Sequence, residues 1–124
     1  MIAFRLFLAC VFLVLTATAQ DSPYVKEDGR WWRVERGERF LVSTEEMTAR
    51  FVDGIENLAD FRNQLDDGGA LFEGLKVVRS NMLGVVDFSL PEGADPVEIV
   101  LAMRATGLVD FAEVGVYGRY VGVP

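Results

Sequence analysis

Hydrophobic and polar positions along this chain change period several times, and each change marks an element. Met47-Thr48-Ala49-Arg50-Phe51-Val52 alternates apolar and polar with a period of two, as a half-buried strand does, and Asp53-Gly54 ends it. Ile55, Leu58, Ala59, Phe61 and Leu65 then recur at helical spacing up to Asp66-Asp67-Gly68-Gly69, where paired glycines stop the helix. After a linker from Ala70 to Gly74, strands are predicted over Leu75 to Arg79 and Leu83 to Leu90, joined tightly by Ser80-Asn81-Met82. In the second strand Val86, Phe88 and Leu90 share one face and Asp87 and Ser89 the other, the pattern of a sheet covered on one side. Pro91-Glu92-Gly93 breaks the pairing. Asp95-Pro96-Val97-Glu98 supplies an N-cap, a proline at the first helical position and a glutamate at the third, so a second helix starts there and stops at Gly107. A last strand, Leu108 to Glu113, is predicted to place Val109 and Phe111 in the core and Asp110 outside.

Ahead of this unit, Tyr24-Val25, Trp31-Trp32-Arg33-Val34 and Phe40-Leu41-Val42 are short strand-like runs separated by Asp28-Gly29 and Arg36-Gly37, which are hairpin signals. The expected organisation is a β-meander over 20–43, a ferredoxin-like unit over 44–113 and an extended tail over 114–124. Strand, helix, strand, strand, helix, strand is the split βαβ order of an α+β ferredoxin-like sandwich, an antiparallel sheet with two helices on one face. Its other face is predicted to carry Val78, Val85, Asp87, Ser89, Leu108, Asp110 and Ala112, either meeting solvent, packing on the meander or binding a partner.

The first residues change the setting. Arg5 precedes an apolar run from Leu6 to Leu15, and Ala17-Thr18-Ala19 forms a small-x-small site, the layout of a secretory signal peptide over 1–19. The apolar core is too short for a spanning helix, so export without a remaining membrane anchor is expected. Cys10, the single cysteine, would leave with the signal, and the exported domain would fold without a disulfide. All 19 acidic residues lie beyond the signal, and the whole chain carries a formal charge of −7, which argues against a nucleic-acid surface.

Chemistry is sparse. The absence of histidine excludes Ser-His-Asp and Cys-His arrangements, and without histidine or a mature cysteine the usual zinc sites are excluded too. No phosphate-binding glycine loop is present. Glu45-Glu46, Asp66-Asp67, Glu92, Asp95 and Glu98 fall at turns and helix ends, where capping and solvation account for them. The expectation is a protein that is not an enzyme and needs no metal or cofactor. Trp31 and Trp32 are read first as packing groups, with a hairpin contact surface for an extracellular structural or ligand-binding domain as the alternative.

Leu75-Lys76-Val77-Val78-Arg79-Ser80-Asn81, Leu83-Gly84-Val85-Val86-Asp87-Phe88, Pro91-Glu92-Gly93-Ala94-Asp95 and Leu108-Val109-Asp110-Phe111-Ala112-Glu113 form an ordered set. This set, over Thr44 to Glu113, resembles the N-terminal prodomain of secreted subtilisin-like serine proteases, the fervidolysin-like type. The resemblance implies a ferredoxin-like module that assists folding of a protease catalytic domain and inhibits it until cleaved. Its sheet would pack on the protease and its tail would lie in the substrate cleft as an added strand. By resemblance, Glu113, Val114, Val116, Tyr117, Tyr120 and Val121 are the protease-binding residues. Val114-Gly115 stands where the family usually has proline and an asparagine or aspartate. No catalytic domain follows Pro124, so the partner is expected either in trans or from a longer gene of which this is the front.

Overall fold

The computed structural model describes residues 23–117, so the signal peptide, Cys10, Tyr120 and Val121 lie outside the described residues. The elements are β1 (Tyr24–Glu27), β2 (Arg30–Glu35), β3 (Glu38–Phe51), α1 (Leu58–Asn63), β4 (Lys76–Ser80), β5 (Val85–Ser89), α2 (Pro96–Ala105) and β6 (Val109–Tyr117). All strands pair antiparallel in one six-stranded sheet, and the fold is α+β.

Local chemistry explains the boundaries. Both N-terminal hairpins turn through two residues with positive φ, Asp28-Gly29 at 53° and 75° and Arg36-Gly37 at 53° and 80°, the backbone that matches strand twist. The Asp95 carboxylate accepts from the Val97 and Glu98 amides at 3.1 Å, and Pro96 opens α2 where no amide is needed. Asn57 caps α1 by accepting from Asp60 N at 2.9 Å. That helix is one and a half turns, shorter than the predicted run, and the chain turns away through Gly68-Gly69. The segment expected as a plain linker contains a 3₁₀ turn, Ala70–Phe72, which drives Phe72 into the core.

β3 is the spine. The polar run Ser43 to Glu46 does not separate two strands; β3 passes through it for 14 residues and joins the expected meander to the rest of the sheet. Val42 lies opposite Val116 and Met47 opposite Val114, so Ser43 to Glu46 bulge out against the single residue Gly115. The Ser43 hydroxyl accepts from the Glu45 and Glu46 amides at 3.1 and 3.2 Å, replacing bonds that the bulge removes from the ladder. One edge of β3 carries β6. The other carries β2 along Glu38 to Leu41 and β5 along Glu46 to Arg50, with β4 beyond β5.

A second bulge corrects the expected facing of the last strand. Arg50 opposes Phe111 but Phe51 opposes Val109, so Asp110 is an extra residue and the alternation inverts after it. Phe111, expected in the core, is 36% exposed, while Ala112, expected on the open face, is fully buried opposite Ala49. The core gathers Met47, Ala49 and Phe51 of β3, Phe88 of β5, Ala112 and Val114 of β6, Phe61 of α1, and Val100 and Met103 of α2. At its centre Phe51 and Phe61 stack at 5.2 Å, with Phe72 and Phe88 edge-on to them at 5.1 and 6.1 Å.

Candidate functional site

Three surfaces compete for a functional role. The first is the sheet face that neither helix buries. Residues directly opposite one another share a face, so Lys76, Ser89 and Glu46 form one row; Arg79, Asp87, Thr48 and Glu113 a second; Val85, Arg50 and Phe111 a third. The second row is cross-linked. Arg79 Nε lies 2.7 Å from Asp87 Oδ2 and Nη2 lies 3.0 Å from Glu46 Oε1, while the Thr48 hydroxyl donates to Asp87 Oδ1 at 2.5 Å. Arg50 pairs with Asp110 at 3.2 Å in the bulge. Pairs this open are worth at most about 1 kcal/mol each, so their main effect is to fix the pattern of charge on the face. Apolar groups flank the band: Phe111, Val78 at the edge, and Leu83 and Met82 at the β4–β5 tip, 70% and 98% exposed. The tip is rigid, because the Asn81 side-chain oxygen accepts from the Leu83 and Val85 amides at 2.9 and 3.1 Å. Val85, Asp87 and Ser89 therefore stand where expected, whereas Leu108 precedes β6 and packs against the core.

The second surface is the end of β6. The strand takes in Val114, Gly115, Val116 and Tyr117, which pair with β3, so the expected tail boundary at 114 moves beyond Tyr117. Val114 is buried and is unavailable for contact with a partner. Its burial follows from the long β3, which offers a backbone partner as far as Leu41. Glu113 is engaged inside the domain: Arg104 Nη2 lies 3.0 Å from Oε1 and Arg33 Nη1 lies 3.6 Å from Oε2. Arg104 also donates through Nε to the Ala112 carbonyl at 2.8 Å and through Nη2 to the Tyr24 hydroxyl at 3.0 Å. One guanidinium thus ties β1, α2 and β6 together, and Arg33 adds β2. Burial pushes the Tyr24 phenol above its ordinary 10.0; Arg104 opposes the shift and Glu113 adds to it. Val116 is half-buried and Tyr117 exposed, its hydroxyl 3.4 Å from that of Thr44.

The third surface is a cleft of about 530 Å³ between the β1–β2 turn, the β3 bulge, the loop leading into α2 and the end of β6. Trp31 and Tyr117 line it over Leu41 and Val42, with Lys26 and Arg30 beside the turn and Asp95 across from them. Lys26 Nζ sits 5.6 Å from the centre of the Trp31 ring. Trp31 Nε1 is buried without a hydrogen-bond partner among the described residues. Trp32 points to the opposite side of the hairpin, under the Arg39 guanidinium, which also pairs with Glu27. The two tryptophans are therefore not a joint cage. Only the Trp-Trp pair hinted at this cleft in the sequence; its other walls come from positions far apart in the chain.

Three of the acidic residues have structural partners: Glu46 holds Arg79, Asp67 accepts from the Gly69 amide at 2.9 Å, and Asp95 caps α2. Among the described residues no group of three or more metal-ligating side chains is arranged around a common point, and no helix is long and apolar enough to cross a membrane. No protein-family profile, curated protein or solved structure matches the chain.

Proposed function

We propose that this chain is a secreted prodomain-like module that binds a subtilisin-like serine protease, inhibiting it or assisting its folding. The observation that carries the reading is the strand order β4-β5-β3-β6, with one helix between β3 and β4, another between β5 and β6, and one sheet face free of both. This order supports reading the unit as a ferredoxin-like split βαβ module, which is what the motif resemblance over Thr44 to Glu113 implies. The free face suits protein contact because it combines a fixed pattern of charge with exposed Phe111 and the rigid Met82-Leu83 tip. β6 reaches Tyr117, so the segment offered to the substrate cleft is 118–124, including Tyr120 and Val121, and Glu113 and Val114 serve to anchor it.

Calorimetry of residues 20–124 with a subtilisin-like protease whose active-site serine is replaced by alanine tests this. A one-to-one complex is expected, weakened about tenfold or more by Phe111→Asp or Arg79→Glu. Failure to bind any member of a protease panel would contradict the reading, and unchanged affinity of the two variants would remove the sheet face from it.

A further inference from the structure

We infer that the cleft beside Trp31 is a binding site for a ligand that joins an aromatic ring to a carboxylate. Its volume of about 530 Å³ lies within the range of small-ligand pockets. Trp31 of β2 and Tyr117 of β6 are among the residues that line the space, together with Leu41 and Val42 of β3. A flat ring can stack on Trp31 in offset or edge contact.

The charge requirement comes from the cations. In a chain of formal charge −7, Arg33, Arg39, Arg50, Arg79 and Arg104 are each matched to a carboxylate. Lys26, Arg30, Arg36, Arg62 and Lys76 have no ion pair among the described residues, and the first two of these line this cleft. Asp95 faces the same space, but its Oδ1 already accepts the Val97 and Glu98 amides as the helix cap. A singly charged acid brought to this corner gains two cations at the cost of one capped carboxylate opposite. A phosphate would bring a second negative charge and more hydration to lose in a cleft that Asp95 also lines.

Two sources share this chemistry, a free aromatic acid and the C-terminal aromatic residue of a peptide. The site is independent of the protease reading, so either can fail without the other.

Trp31 reports on its own cleft once Trp32→Phe removes the other indole. Fluorescence titration of that variant with N-acetylphenylalanine, its amide and N-acetyl-Gly-Gly-Phe is the test. The acid is expected to bind at least about tenfold more tightly than the amide. Adding Lys26→Gln and Arg30→Gln should erase that preference while leaving the melting temperature unchanged. Tighter binding of the tripeptide than of the single residue identifies a peptide C-terminus; equal binding identifies a free acid. The inference is overturned if the folded protein shows no saturable change up to about 10 mM acid, if acid and amide bind alike, or if the double cation variant keeps the preference. Calorimetric titration of the unsubstituted residues 20–124 with the same compounds guards against an effect of Trp32→Phe itself.

Discussion

Truncating Phe88 and Phe111 to alanine is expected to separate a core side chain from a surface one. Phe88 is fully buried in the aromatic cluster, and its loss should cost about 3–5 kcal/mol, enough to unfold much of a small domain. Phe111 lies on the open face opposite Arg50, and its loss should cost about 1 kcal/mol or less; urea denaturation of both variants measures the contrast. Period-two reading was right for Phe88 because β5 is regular, and wrong for Phe111 because one extra residue at Asp110 inverts the faces after it. Nothing adjacent in the sequence announces that bulge, since Val109, Asp110 and Phe111 alternate perfectly well without it. Tyr24 gives a pH signature. Its native-state pKa lies above the ordinary 10.0 through burial, so the folded protein retains a proton that the unfolded chain has already released. The stabilisation is complete below about pH 10 and declines as the pH rises through the native value. Chemical denaturation from pH 8 to 11 should show less alkaline loss in Tyr24→Phe than in the parent.

Element boundaries follow caps where caps are local and fail where a distant strand decides them. Asp95→Ala should destabilise α2 by about 0.5–2 kcal/mol, because two amides lose their acceptor; thermal melts followed by circular dichroism measure it. That start was legible because N-cap, proline and glutamate lie within four consecutive residues. The continuity of β3 was not, because Ser43 to Glu46 read as a polar break while their unpaired amides are met by the Ser43 hydroxyl and by a bulge against β6. Gly115 is the residue that makes this crossing possible. A Cβ there would lie 2.9 Å from the Glu46 carbonyl oxygen and 3.3 Å from the Ser43 Cβ. Gly115→Ala should therefore cost about 1–3 kcal/mol, and amide exchange should rise around Ser43 to Glu46 more than in β4. The same long β3 explains why β6 extends past Glu113: Val114-Gly115-Val116-Tyr117 reads from the sequence as the start of a tail, but β3 offers these residues a paired edge as far as Leu41.

Arg104 binds the N-terminal hairpin to the rest of the molecule, reaching Tyr24, Ala112 and Glu113 at once. The meander and the unit after it thus share one sheet and one polar hub, and β6 is held to α2 and β1 through it. No periodicity encodes the hub, since Tyr24 and Arg104 are 80 positions apart. The strand and helix order over Met47 to Glu113 was legible, and so was the existence of an open face, because both rest on short-range patterning. The central claim is that this domain presents the segment after Tyr117 to the substrate cleft of a subtilisin-like protease while the sheet face supplies the docking surface. Steady-state inhibition of a panel of such proteases, by residues 20–124 and by a version ending at Tyr117, tests it most directly. The account predicts that the longer chain inhibits at least one protease and that the shorter one, equally folded by its melting curve, inhibits at least about tenfold less. Absence of inhibition by the longer chain across the panel, or equal inhibition by both, would contradict it.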